Sequence, residues 1–204
     1  MANDQDKIPR VFCVGTADTK LEELQFLSES VRFNLTSFSS SQEVVVVDVS
    51  VGQKETQSLQ DFKFVKRNEV LSFYSESAVK ILIGLDDDRG KAIGFMSKSL
   101  QHFLKKAVDD QVLVGVIGLG GSGGTSLISS AFRSLPIGIP KVIVSTVSSG
   151  QTQPYIGTSD LILIPSVVDV CGINSVSRVV FSNAGAAFSG MVVGKLGAVK
   201  RSQN

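Results

Sequence analysis

A single histidine and two cysteines are all that this chain of 204 residues holds of the side chains that most often bind zinc or cross-link a fold. Cys13 sits in an apolar run and Cys171 in a loop-like one. Unclustered, they offer neither a zinc pattern nor a disulfide framework, and their usage fits a reducing compartment. Aromatic residues make up only 7% of the chain, too few for a base-stacking platform. Neither sign of charge dominates, with 20 basic against 19 acidic residues, so no basic surface for direct nucleic-acid contact stands out. The first residues, Met1 to Lys7, are polar and lack the apolar core of a signal peptide. The longest weakly polar run, Val179 to Gly194, contains Ser182, Asn183 and Ser189 and is short for a membrane span. It reads as a buried helix. With no targeting segment, a cytoplasmic location is expected. No repeat or low-complexity segment is evident, and the length suits one large domain or two small ones with a substantial core.

Glycine is abundant in one place. Six glycines fall between positions 115 and 124, where the β-formers Val112 to Ile117 run into Gly118-Leu119-Gly120-Gly121-Ser122-Gly123-Gly124. Thr125 and Ser126 then lead into an apolar helical pattern. Glycines at a strand-to-helix turn let backbone N–H groups approach an anion, and the helix N-terminus adds partial positive charge. The same glycines would also serve a tight turn with close helix packing. Three phosphate-loop or catalytic signatures overlap here, each imperfectly. Gly118-x-Gly120-x-x-Gly123 is a dinucleotide fingerprint, but the segment about 20 residues on, Gly138 to Ser145, carries no carboxylate for ribose, which disfavours a nicotinamide enzyme. Gly118 to Thr125 approaches a Walker A loop with Gly124 in place of its lysine, so binding remains available while fast phosphoryl transfer does not. Gly120-Gly121-Ser122-Gly123-Gly124 matches a nucleophile elbow, yet His102 precedes the serine, which rejects that triad.

Periodicity gives alternating elements. Strands are expected at Val11–Gly15, Val44–Val49, Ile81–Ile83, Val112–Ile117, Val142–Ser145 and Leu161–Ile164. Helices are expected after a cap at Asp18 or Thr19 (with Thr19-x-x-Glu22 as a candidate capping box), over Val70–Val79, through Ile93 to Ala107, over Thr125–Phe132, and from about Ser175 to Val193. Thr36 to Ser41 reads as a polar loop, and residues 52 to 68 are hard to place. The pattern predicts an α/β, Rossmann-like three-layer domain: a mainly parallel sheet with helices on both faces. Ligands in such sheets bind beyond the carboxyl ends of the strands, at a switch in strand order. Gly15 to Lys20, Asp48 to Gly52, Ser145 to Gly150 and Pro165 to Asp169 should share that rim with the glycine loop. Lys20 could replace the missing Walker lysine. Thr19 suits a cap as well as a ligand contact, and the run 145 to 149 suits turn chemistry. Asp48 and Asp169 suit loop anchors or a water-mediated magnesium ion. Asp86-Asp87-Asp88-Arg89 reads as a solvated loop, and His102 as a surface or core residue.

Taken together, Gly-Thr-Ala-Asp-Thr-Lys (15 to 20), Asp88-Arg89-Gly90, the glycine loop (118 to 125), Leu-Pro-Ile-Gly-Ile-Pro-Lys-Val (135 to 142), Ser-Thr-Val-Ser-Ser-Gly (145 to 150) and Ser-Val-Val-Asp-Val-Cys-Gly-Ile-Asn (166 to 174) form a specific set. Asn183-Ala184 and Gly190-Met191 also fit. Over nearly its whole length the chain resembles the family of tomato mosaic virus resistance proteins and their bacterial and fungal relatives. The resemblance implies that residues 1–201 are the N-terminal ATP-binding domain of a longer protein, with 202–204 beginning a linker. For the virus-resistance members it implies an inhibitor that binds the tobamovirus replication protein, including its helicase region, and blocks viral RNA replication. It further implies that Gly120, Gly121, Ser122, Gly123, Gly124 and Thr125 hold the phosphates of ATP, with Mg2+ as an optional companion. Thr16, Asp18, Lys20, Arg89, Thr146, Ser149, Gly150, Asp169 and Asn174 would line the same cleft. Gln151 stands where many relatives are expected to carry aspartate, which puts a catalytic or metal role there in doubt. No catalytic residue and no dedicated metal site are assigned. The alternative is the nucleotide-binding part of a small-molecule ligase or hydrolase completed by a C-terminal region. The segments 52 to 68 and 84 to 91 are candidates for a partner surface or ordinary solvent-facing loops. The small-residue last helix, with Ala184, Gly185, Ala186, Ala187 and Gly190, suits packing on the sheet; a homodimer is the other use for it.

Overall fold

A computed structural model describes residues 8–52, 59, 61–85 and 88–202. Strands β1 (Arg10–Gly15), β2 (Glu43–Asp48), β3 (Lys63–Val65), β4 (Leu113–Gly120), β5 (Lys141–Ser145) and β6 (Ile162–Pro165) form one sheet in the order β3-β2-β1-β4-β5-β6. Every pairing is parallel. The helices are α1 (Ala17–Ser37), α2 (Arg67–Ser72), α3 (Ala78–Ile83), α4 (Arg89–Asp109), α5 (Ser122–Arg133), α6 (Gln153–Ile156) and α7 (Ser175–Ser202).

Two cores flank the sheet, as a parallel sheet requires. Val44 and Val46 join the core under α1 and α7, while Val45 and Val47 join the core under α2, α3, α4 and α5. The right-handed crossover rule explains this division. The β1–α1–β2 unit steps toward one sheet edge and the β4–α5–β5 unit toward the other, so one hand places α1 and α5 on opposite faces. Phe132 of α5 and Phe181 and Phe188 of α7 are fully buried, each contributing roughly 1.5–3 kcal/mol by removal from water.

Helix α7 is long and apolar enough to cross a membrane by length and composition. Its Phe181, Ala184, Phe188 and Val192 face is fully buried on the sheet and α1, while Val176, Val179 and Val199 are exposed, so packing within the domain accounts for one face of its apolarity. Small residues set the seat. A Cβ on Gly115 of β4 would lie 2.9 Å from Val192 Cγ2 and 3.0 Å from Phe188 Cζ, and one on Gly185 would lie 2.3 Å from Ser30 Oγ of α1. The last helix thus packs on the sheet through Phe188 and Val192, but of its small residues Gly185 seats on α1 and Ala186, Ala187 and Gly190 are exposed, which corrects the expectation that they all serve the sheet.

Four local expectations are corrected. Ile81-Leu82-Ile83 is helical, in α3; Leu82 is buried while Ile81 and Ile83 are exposed, a one-sided pattern that three apolar residues in a row conceal. The single helix expected over 70–79 is two short ones, α2 and α3, separated at Ser75, whose Oγ accepts the Ser77 N–H at 3.3 Å. Helix α1 begins one turn early, with Thr16 as N-cap, so the Thr19–Glu22 box is not made; Thr19 Oγ1 instead donates to the Thr16 carbonyl. At its other end α1 takes in Thr36 and Ser37, whose hydroxyls donate to the Arg32 and Phe33 carbonyls at 2.9 Å each. Of the segments expected as partner surface, residues 53–58, 60 and 86–87 lie outside the described residues, as do 203 and 204 of the expected linker; Ser202 closes α7.

Candidate phosphate-binding site

The strand order reverses between β1 and β4, where Gly15 pairs with Leu119. Ligands of open parallel sheets collect at this switch. On the β4 side the strand ends at Gly120, Gly121 is the N-cap and Ser122 opens α5. The first-turn N–H groups of Ser122, Gly123 and Gly124 have no intrahelical acceptor, because a helix leaves its first donors unpaired.

The glycines here divide by what a side chain would meet. A Cβ on Gly118 would sit 2.8 Å from Ile128 Cγ2, and one on Gly120 would sit 2.8 Å from the Thr125 nitrogen and 2.9 Å from the Gly124 carbonyl carbon. Those two let α5 lie close on the sheet. Gly121 and Gly124 are different: their nearest foreign atoms would be Thr146 Oγ1 at 3.8 Å and the Leu119 carbonyl oxygen at 4.0 Å. The fold has room for alanine at both positions. What it leaves there is open space beside the bare first-turn backbone, a candidate cradle for a phosphate.

Thr125 and Thr146 frame the cradle. Thr125 is buried, donates its N–H to the Gly121 carbonyl at 2.8 Å, and shares a 2.7 Å hydroxyl hydrogen bond with Ser145. Thr146 donates its N–H to the Gly120 carbonyl at 3.3 Å. Both residues therefore hold the turn together.

Opposite stands the start of α1. Asp48, at the end of β2, accepts hydrogen bonds on Oδ1 from the Ala17 N–H at 3.1 Å, the Ser50 N–H at 2.9 Å and the Ser50 hydroxyl. Of the two roles open to Asp48, these contacts give it the anchoring one. Ser50 Oγ accepts the Asp18 N–H at 2.9 Å. Thr16, Asp18, Thr19, Val51, Gly52, Leu85, Arg89 and Ala92 then line a cleft of about 220 Å³. Asp18 Oδ1 is buried there with no hydrogen-bond partner. Arg89, in the first turn of α4, reaches from this cleft toward the cradle; its Nη2 lies 3.9 Å from where a Gly123 Cβ would be. Asp88 caps α4 by accepting the Lys91 N–H at 3.0 Å, and its carboxyl is held below the usual range by the Lys91 side chain and backbone.

The structure thus brings together Thr16, Asp18, Arg89, Gly120 to Thr125 and Thr146. The other expected residues are engaged elsewhere or exposed. Lys20 sits at a break in α1, with φ −137° and ψ 34°, and its Nζ donates to the Val170 carbonyl. Ser149 and Gly150 are exposed in the loop after β5. Asp169 is exposed and accepts the Val170 N–H at 2.8 Å. Asn174 caps α7, its Oδ1 accepting the N–H groups of Val176 and Ser177 at 2.9 and 3.0 Å. Ser50 and Gly52 were expected on this rim only as part of the run Asp48 to Gly52; the structure sets both against Asp18. Their signal was the Ser-Val-Gly that follows Asp48 at a strand end. No group of three or more His, Cys, Asp or Glu residues is placed to hold a metal among the described residues.

Comparison with known proteins extends this picture. Residues 9–196 match the model of an uncharacterised protein family, the UPF0261 N-terminal domain. The chain is 63% identical over 201 residues to the ToMV susceptible protein tm-1(GCR26) of Solanum lycopersicum, covering 96% of this chain and 26% of that protein. It is equally 63% identical, over 200 residues, to the ToMV resistance protein Tm-1(GCR237) of the same plant, with the same coverage. A UPF0261 protein of Rhizobium meliloti is 42% identical over 182 residues, covering 89% of this chain and 42% of the bacterial protein. The chain therefore spans about a quarter of the length of the tomato relatives it matches.

Proposed function

This chain belongs to the UPF0261 family, and on that premise we propose that it binds ATP at the start of α5 and acts as an antiviral domain against a tobamovirus replication protein. The observation that carries the nucleotide half is the bare cradle at Gly121 and Gly124, where the fold itself has room for a Cβ. In this reading the N–H groups of Ser122, Gly123 and Gly124 donate to phosphate oxygens. The guanidinium of Arg89 adds charge from the α4 side. With Gly124 at the position of the P-loop lysine, the site suits holding a nucleotide rather than transferring its phosphate.

The antiviral half rests on homology to the ToMV resistance protein. Equal identity to the susceptible protein means that overall likeness does not assign resistance to this chain. The proposed partner is the helicase region of the viral replication protein, met in the cytoplasm, with the segments 52 to 68 and 84 to 91 as the contact surface. ATP would order the rim and stabilise that surface.

Calorimetric titration with ATP and magnesium, on the wild type and Gly121→Asp, tests the first half. A carboxylate about 4 Å from a phosphate charge costs roughly 4 kcal/mol at an effective dielectric of about 20, or about a thousandfold in Kd. Saturable wild-type binding that the variant loses supports the site; equal binding by both rejects it. Capture of purified viral helicase domain only when ATP is present tests the second half, and ATP-independent or absent capture rejects it.

A further inference from the structure

We infer that Asp18 is the specificity-determining residue of this cleft: it accepts a hydrogen bond from a ligand hydroxyl, selecting a phosphate that carries a sugar diol. The inference rests on the phosphate reading of the glycine loop and goes on to name what lies beside the phosphates.

Asp18 is held at its backbone and bounded by Gly52. Its N–H is bound by Ser50 Oγ at 2.9 Å. Its Oδ2 lies 2.7 Å from where a Cβ on Gly52 would be, so only glycine at 52 leaves the carboxylate this position. The Gly52 carbonyl is itself bound by Arg67 Nη1. All this fixing delivers a carboxylate oxygen, Oδ1, that is buried and bonded to nothing. An acid in the first turn of a helix complements the helix dipole, which explains a solvated carboxylate there. It does not explain one whose oxygen is withdrawn from water without a donor, an arrangement folded proteins rarely keep.

The donor that fits is neutral. Among the described residues Asp18 is the one acid lining the cleft, beside threonines, apolar side chains, glycine and the cation Arg89. A lone carboxylate facing a guanidinium makes a poor seat for a divalent cation. Asp18 and Arg89 line the same cleft, yet no ion pair joins them among the described residues, which leaves each free to meet a different part of one ligand: Arg89 an anion, Asp18 a hydroxyl. Arg89 also approaches Gly123, which puts its guanidinium between the cleft and the glycine loop. The neighbouring carboxylate, Asp48, is turned to the Ala17 N–H and to Ser50, and Asp18 presents the open oxygen instead.

The test is calorimetric titration of wild type, Asp18→Ala and Gly121→Asp with three probes in magnesium: ATP, 2′,3′-dideoxy-ATP and inorganic tripolyphosphate. A hydrogen bond to a charged group predicts a wild-type preference for ATP over dideoxy-ATP of roughly 10- to 100-fold. Asp18→Ala is expected to erase that preference while binding tripolyphosphate as the wild type does, which also reports that its fold is intact. Equal affinity of the wild type for ATP and dideoxy-ATP, with tripolyphosphate binding still abolished in Gly121→Asp, overturns the role of Asp18 alone. Failure of the wild type to bind any of the three overturns the phosphate site and this inference with it.

Discussion

Gly120 and Gly121 are adjacent, yet alanine at each should do opposite things. At Gly120 a Cβ would meet backbone atoms, the Thr125 nitrogen at 2.8 Å, the Gly124 carbonyl carbon at 2.9 Å and Gly124 Cα at 3.1 Å. Backbone cannot rotate aside as a side chain can, so the first turn of α5 must lift from β4. Overpacking of this kind costs about 1–3 kcal/mol, and the upper end applies because the turn is also pinned by Thr125 and Thr146. For a domain of this size each kcal/mol moves Tm by roughly 2–4 °C, so Gly120→Ala should lower Tm by about 6–12 °C. At Gly121 the nearest foreign atom is 3.8 Å away and φ is an ordinary −74°. Gly121→Ala should leave Tm within a degree or two, or raise it slightly by restricting the unfolded chain. Its Cβ would instead project into the cradle and weaken ATP binding at least tenfold. Differential scanning calorimetry without ligand and titration with ATP separate the two effects. The division of the glycines is wrong if Gly121→Ala destabilises as much as Gly120→Ala. The cradle is wrong if Gly121→Ala binds ATP like the wild type.

Other expectations follow from the core and its charges. Phe188→Ala empties a fully buried site against Gly115 and should cost about 3–5 kcal/mol by denaturant titration; a loss under 1 kcal/mol would contradict the seating of α7. Lys141 is wholly buried, its Nζ donating to the Pro136 and Ile139 carbonyls and to Asp160 Oδ1 at 2.5 Å. Burial pushes the Asp160 carboxyl up, but the Lys141 side chain, the Gly138 N–H and the Lys141 charge outweigh it and leave the group below its ordinary value. A lowered folded pKa stabilises above the unfolded value of about 4 and loses that contribution as pH falls through the lower, folded one. Asp160→Asn should therefore flatten the acid limb of stability below about pH 5, read from denaturation midpoints against pH; an unchanged limb would rule out this pair as its source. Desolvation pushes the Cys13 thiol up to about 12, more than the Ser28 hydrogen bond lowers it. A thiol reagent should label Cys171, which is exposed, in the native protein and reach Cys13 only after unfolding; two thiols reacting at one rate would contradict the burial.

Most of the sheet was legible because valine-rich runs buried on both faces admit few other readings. Val44 to Val47 and Val142 to Val144 were found this way. The region from 63 to 83 was not. Its strand is three residues long and its two helices six each, too short for either periodicity to declare itself. The early start of α1 was hidden because Asp48, distant in sequence, supplies the acceptor for the Ala17 N–H. At the site, composition and spacing pointed to the glycine loop as a whole. They could not divide Gly118 and Gly120, which the packing of α5 demands, from Gly121 and Gly124, which it does not. Nor could they anticipate that Lys20 would turn toward Val170, since a side chain's choice among rim acceptors is made by tertiary geometry.

The tie between α1 and the loop before α7 has a mechanical side. Lys20 holds the Val170 carbonyl and Glu23 holds the Gly172 N–H at 2.6 Å, so the base of α7 is fastened to the same first turns of α1 that line the cleft. Helix α7 has 28 residues and at 1.5 Å per residue is about 42 Å long. Because Phe181, Phe188 and Val192 also seat this rod on the sheet and α1, it cannot swing from its base alone. A rearrangement at Asp18 that reaches α7 through this fastening must carry α1 and α7 as one body, so the cleft is braced by the longest helix of the domain.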